Sequence, residues 1–121
     1  MNVDIIREYC LSFPGAKEQI QWGDNLLFKV EGKMFLLYSL NNEAINRISL
    51  KCLPEKFSEL IENECIIQAP YFARNKWICI QDGCRMNIKE IKELIAESYR
   101  LVFEKLPVKV KKEIELKYTK K

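Results

Sequence analysis

The chain has 121 residues, 48% of them hydrophobic and 31% charged, with five Cys, no His and a formal net charge of +3. Without histidine there is no Ser-His-Asp or Cys-His catalysis, no His-ligated zinc and no imidazole switch near neutral pH. The length fits one domain, able to bury roughly two-thirds of its unfolded surface without a metal or disulfide staple.

The first element in chain order is a helix over residues 3–13. Val3, Ile6, Cys10 and Phe13 recur at helical spacing, and Asn2 caps the start. Pro14-Gly15 ends it. A β-meander follows. Ile20 and Trp22 mark a short strand, closed by Gly23-Asp24-Asn25. Residues 26–31 alternate, with Leu26, Phe28 and Val30 on one face and Leu27, Lys29 and Glu31 on the other. Glu31-Gly32 makes a tight hairpin turn. On the return strand, 33–40, Met34, Leu36, Tyr38 and Leu40 share one face; Phe35 and Leu37 share the other. Asn41-Asn42-Glu43 turns into a strand at 46–52, with Ile48, Leu50 and Cys52 inward and Arg47, Ser49 and Lys51 outward.

Pro54 opens a second helix that carries Phe57, Leu60 and Ile61 and runs to about Asn63. Residues 64–74 read as a connection, and 75–81 as a last strand, with Ile78 and Ile80 opposite Trp77 and Cys79. Asp82-Gly83 turns again. Asn87 with Glu90 starts the longest helix, 88–106, in a capping-box pattern, with an apolar stripe from Ile88 to Leu106. Pro107 stops it. A basic tail, 108–121, reads as either a short helix with Val110 and Ile114 inward or a frayed end.

The order α-β-β-β-β-α-β-α predicts an α+β domain. It is a two-layer sandwich in which an antiparallel sheet of about five strands packs against helices. Residues 1–121 form one unit.

Charge is uneven along it. Residues 105–121 hold seven Lys and two Glu, a net of +5, which leaves residues 1–104 at −2. No C-x-x-C occurs among Cys10, Cys52, Cys65, Cys79 and Cys84, so the cysteines read as buried reduced thiols. Residues 1–10 lack the pattern of a signal peptide, and no apolar stretch approaches a membrane span. The expected location is the cytoplasm, away from membranes.

Several local runs, taken together, resemble the MmcQ/YjbR family of small bacterial proteins. Phe28–Phe35 (FKVEGKMF) resembles the family's hairpin, and Cys10–Ala16 (CLSFPGA) its N-terminal motif. Lys51–Glu55 (KCLPE), the pair Pro70-Tyr71, Lys76-Trp77, and Ser98–Val102 with Leu106-Pro107 follow in family order. The resemblance spans residues 7 to about 112. It implies an antiparallel sheet packed against helices, similar to frataxin-like and secretion-chaperone-like proteins, and a DNA-binding role tied to a double-wing arrangement. Two departures are visible. Leu53 stands where the family has a capping Asp, so that helix should start more weakly by about 1 kcal/mol. The histidines common around 70–77 are absent. Frataxin-like proteins bind iron with an acidic ridge on the first helix; here only Asp4 and Glu8, beside Arg7, are present, which argues against iron.

On their own terms, Lys29, Arg47, Lys51 and Trp77 fall on the strand positions opposite the apolar ones, with Lys33, Arg74 and Lys76 at nearby turns or strand ends. Such a face suits a phosphate backbone, with the Trp available for stacking. It also suits an ordinary solvated sheet face. The nucleic-acid-binding candidates are these seven residues plus Lys109, Lys111 and Lys112 of the tail. No cofactor or metal is expected. Ser12, Ser39, Ser49, Ser58 and Ser98 have no His base, and no Gly-rich phosphate loop occurs, so the protein is read as a non-enzyme. The expected partner is DNA. The alternative is a protein or peptide, held by a sheet edge or an apolar patch of Phe35, Leu37 and Phe72. The chain is expected to be a monomer or weak homodimer.

Overall fold

The computed structural model describes residues 3–21, 25–39, 47–69, 77–81 and 86–118. The elements are α1 (Val3–Leu11), β1 (Ala16–Gln21), β2 (Asn25–Val30), β3 (Lys33–Ser39), β4 (Arg47–Lys51), α2 (Pro54–Leu60), β5 (Ile66–Gln68), β6 (Trp77–Gln81), α3 (Ile88–Phe103) and α4 (Val108–Tyr118). The strands form one antiparallel sheet in the order β1-β2-β3-β4-β6-β5. Helices α1 and α3 pack against one face of it, giving the expected α+β architecture.

The sheet has six strands where about five were expected. The additional one is β5, inside the stretch read as a connection; Ile66 pairs with Ile80 and Gln68 with Ile78. β1 begins at Ala16, well before Ile20, because Ala16 to Gln21 pair along the whole of β2. The basic tail takes its helical alternative as α4. The turns read at 23–24, 41–43 and 82–83, with Asn2, Trp22, Leu40, Pro70, Tyr71, Phe72, Arg74, Lys76 and Cys84, lie outside the described residues.

Register assigns each face. Leu26, Tyr38, Ile48 and Ile80 form one cross-strand row, and Phe28, Leu36, Leu50 and Ile78 the next; all are buried under the helices. The register between β2 and β3 shifts at Phe28/Lys29, so that Phe28 opposes Leu36 while Lys29 opposes Met34. Phe35 is the extra residue of a β-bulge. The bulge overturns the strict alternation expected for β3. Phe35 and Leu36 both enter the core, fully buried, and Met34 moves to the opposite face.

Ser98 on α3 completes the bulge. Its hydroxyl donates to the Phe35 carbonyl at 2.6 Å and accepts from the Lys51 amide at 2.9 Å. One buried side chain thus satisfies two backbone groups that the ladder leaves over. Around it, Tyr99 stacks on Phe13 at 4.6 Å and meets Phe35 edge-on at 5.3 Å. The Tyr99 hydroxyl donates to the Pro14 carbonyl at 2.6 Å, tying α3 to the end of α1. Arg7 forks onto both Glu18 carboxylate oxygens at 2.6 Å, joining α1 to the edge strand and holding the Glu18 carboxyl below its usual range.

At α2 and α3 the local signals at the helix start behave as read. Asn87 accepts from the Glu90 amide at 2.8 Å, and Glu90 accepts from the Asn87 amide, a complete capping box. At α2, Leu53 occupies the cap position with no side-chain hydrogen bond, as its replacement of an Asp implied.

The hairpin turn sets Glu31 at φ 49° and Gly32 at φ 76°. Both central residues are left-handed, as a two-residue I′ loop demands, and Glu tolerates this poorly. Glu31→Asn is therefore expected to stabilise the domain by about 0.5–1 kcal/mol, read as a raised urea midpoint at unchanged slope.

Candidate nucleic-acid interface

The second sheet face is not the open polar surface the alternation suggested. Leu27, Ser49, Trp77 and Cys79 on it are all buried. Trp77 is only 5% exposed and packs with Ala69, Cys79 and Met34. It is a wall, and its ring face is not open to stack a base as the sequence pattern suggested.

The polar chemistry collects at one end of this face. Lys51 closes β4 directly across from Trp77 at the start of β6. Lys33 opens β3 just after the hairpin turn, next to Met34. The chain leaving α3 brings up Lys105 and Leu106, its turn fixed by hydrogen bonds that the Lys105 amide donates to the Val102 carbonyl and the Leu106 amide to the Phe103 carbonyl. Lys33, Lys51 and Lys105 then surround a cavity of about 300 Å³, whose apolar wall is Met34, Trp77, Val102 and Leu106. No carboxylate lines it among the described residues. Burial and the neighbouring Lys105 ammonium hold the Lys51 pKa below the usual lysine range. Two like charges share a partly desolvated site that an anion would neutralise.

Other hollows differ in charge. Lys29, placed beside Met34 in the register, lines a hollow with Lys17, Glu18 and Glu31, where charges balance. Between α2 and α3, Glu59, Glu90, Glu93 and Glu97 outnumber Lys56, whose ammonium sits 3.0 Å from Glu97. The molecule is thus acidic near the start of α3 and basic past its end.

Of the sequence candidates, Lys33, Lys51 and Trp77 come together. Arg47 lies at the far end of β4, about 13 Å from Lys51 at strand rise. Lys109 and Lys112 are exposed on α4, while Lys111 turns back to Glu104 at 3.3 Å. Lys105 was missed as a site residue. Nothing in the local sequence marks it, because the turn after α3 brings it to the cavity.

Cys10, Cys52 and Cys79 are buried thiols outside any disulfide. Burial pushes the Cys10 thiol up to about 12 and raises that of Cys79, so both behave as small hydrophobes. Cys65 is disulfide-bonded, which the reading of reduced cysteines did not anticipate. Among the described residues, no three His, Cys, Asp or Glu side chains are placed to hold a metal, and no helix is long and apolar enough to cross a membrane.

The family model YjbR matches residues 11–101. The chain belongs to the YjbR family. A crystal structure of the Deinococcus radiodurans protein DR2400, described by the domain DUF419, is similar with a TM-score of 0.83 and 26% identity over 93% of this chain and 87% of that one. A Pseudomonas syringae protein shares the fold in its crystal structure, with a TM-score of 0.71 and 23% identity over 84% of this chain and 99% of that one. Its solution structure agrees, with a TM-score of 0.68 over 84% and 93%. No curated protein matches this chain. The family assignment bears out the resemblance that the motifs carry.

Proposed function

We propose that this YjbR-family protein binds nucleic acid, DNA foremost, by phosphate contacts and catalyses no reaction of its own. The supporting observation is the cavity with three lysines and no lining carboxylate among the described residues. An anion placed there would meet Lys51, Lys105 and Lys33 together, and phosphate is the anion that DNA presents everywhere. Sequence would be read weakly, because Trp77 is buried and the lysines make point-charge contacts. Lys29, Arg47, Lys109 and Lys112 would extend the contact beyond the cavity. A cytoplasmic location is supported by the three buried reduced thiols, and the Cys65 disulfide weighs against it.

Fluorescence anisotropy of labelled single-stranded and duplex DNA, between about 50 and 200 mM salt, tests the reading. Affinity should fall steeply with salt. No binding at about 100 μM protein even at low salt rejects it. Lys51→Met gives a sharper check, because two effects should oppose. Removing a charge whose pKa folding depresses relieves a penalty that is full at neutral pH. That penalty fades as pH rises through the lowered value toward 10.5. The variant should be more stable at neutral pH, by at most about 0.5 kcal/mol after solvent screening, yet bind DNA several-fold more weakly. Lys89→Met, at an exposed position of α3, serves as control in place of Lys92, which lies 5.2 Å over the Tyr9 ring.

A peptide-adaptor reading has one observation in its favour. β1 is an edge strand of six residues, and its Ile20 is 71% exposed. The patch of Phe35, Leu37 and Phe72 does not serve it, because Phe35 is in the core. Binding that survives high salt, and that Ile20→Lys removes, would favour this reading over DNA.

A further inference from the structure

We infer that the Lys51–Lys105 cavity takes a terminal phosphate monoester, the phosphorylated end of a nucleic-acid strand, in preference to an internal phosphodiester. The inference rests on the nucleic-acid reading and concerns which phosphate enters the site. Two features of the cavity carry it.

The first is charge. Lys51 and Lys105 come from different elements, the end of β4 and the turn after α3, and are brought together with Lys33 and no lining carboxylate among the described residues. An internal diester brings one negative charge, whereas a monoester brings about −1.5 to −2 at neutral pH and three acceptor oxygens. Two adjacent ammonium groups with a third at the rim match the second.

The second is the wall. The lysines line a cavity of about 300 Å³ together with Trp77, Met34, Val102 and Leu106, so a phosphate there faces ammonium groups and apolar side chains with no lining carboxylate, among the described residues, to repel its second charge.

The test compares single strands of one sequence, about 12 nucleotides long, carrying a 5′-phosphate, a 3′-phosphate or hydroxyls at both ends. A nucleoside monophosphate and inorganic phosphate serve as competitors. The expected result is that at least one phosphorylated end binds about tenfold more tightly than the hydroxyl strand. Lys105→Met should weaken the phosphorylated strand far more than the hydroxyl strand, so that the two bind alike, while Lys89→Met, outside the cavity, should leave both affinities and the preference unchanged. Lys51→Arg, which keeps the charge, should retain it. Equal affinity for all three strands overturns end selection and leaves the nucleic-acid reading standing. Failure of every strand to bind overturns both. A nucleoside monophosphate that binds as tightly as the phosphorylated strand assigns the pocket to free nucleotides and overturns the strand-end proposal. A preference that persists in Lys105→Met places the recognition elsewhere and also overturns it.

Discussion

Phe35→Ala is expected to lower the unfolding free energy by about 3–5 kcal/mol, a large share of what holds a domain of this size. The side chain is fully buried and lies within the cluster of Phe13, Tyr99 and Leu36. Its ring centroid is 5.3 Å from Tyr99 and 6.1 Å from Phe13, edge-on to both, so deletion removes packing against two helix-side partners at once. The measurement also decides between two structures of β3. Under unbroken alternation Phe35 would project from the far face, where half-buried Leu37 sits, and its loss would cost little. With the bulge it is core. Urea unfolding of Phe35→Ala beside Leu37→Ala distinguishes them. A cost for Phe35→Ala below about 1.5 kcal/mol, or no greater than that of Leu37→Ala, would contradict the bulge. Ser98→Ala should cost less, about 1–3 kcal/mol, by stranding the Phe35 carbonyl and the Lys51 amide.

How much of this was legible depends on how local each cause is. The capping box at Asn87, the weak cap at Leu53 and the Glu31-Gly32 turn involve neighbours in sequence, and each reads directly from its residues. The rows Leu26–Tyr38–Ile48–Ile80 and Phe28–Leu36–Leu50–Ile78 follow from period-2 alternation. β1 was half hidden, because Ala16, Lys17, Glu18 and Gln19 have little strand preference. They become a strand only because β2 offers them an edge. β5 is three residues long, too short for any period to show. The bulge at Phe35 was invisible for a deeper reason. Its register depends on Ser98, 63 residues away, supplying the hydrogen bond that lets the carbonyl leave the ladder.

The site shows the same division. That Lys51 and Trp77 share a face was readable from strand parity. That they face each other across β4 and β6 was not, and neither was Lys105, delivered by the end of α3. The buried Trp77 also changes the chemistry. An exposed Trp between lysines would suggest base stacking. A buried one is instead part of the apolar wall that Lys33, Lys51 and Lys105 adjoin.

Truncation after Pro107 is the second change expected to have a large effect, and it would act on stability before it acted on binding. Seen as charge alone, residues 108–121 are the basic excess of the chain, and their removal looks like a clean test of whether a tail holds DNA. In the fold they contain the whole of α4, and Ile114 on that helix is buried. A Cβ placed on Gly15 would lie 3.5 Å from Ile114 Cγ2 and 3.5 Å from Val30 Cγ2, so Ile114 covers the glycine turn after α1 and the end of β2. Gly15 takes φ 76° there, and its small size leaves the room that Ile114 fills. Ile114→Ala should therefore cost about 2–4 kcal/mol, and truncation at least as much, seen as a fall in melting temperature. A truncated chain that failed to bind DNA would report lost structure. The informative variant is Lys109→Glu with Lys112→Glu, two exposed positions three residues apart on α4. Lys111, tied to Glu104, is left in place. If α4 holds phosphates beside the cavity, this variant should keep the wild-type melting temperature and bind DNA more weakly. Its salt slope should fall by about 1 for each phosphate that α4 no longer neutralises. An unchanged slope would confine DNA to the cavity of Lys33, Lys51 and Lys105. Complete loss of binding at unchanged stability would move the binding surface from the cavity to the helix.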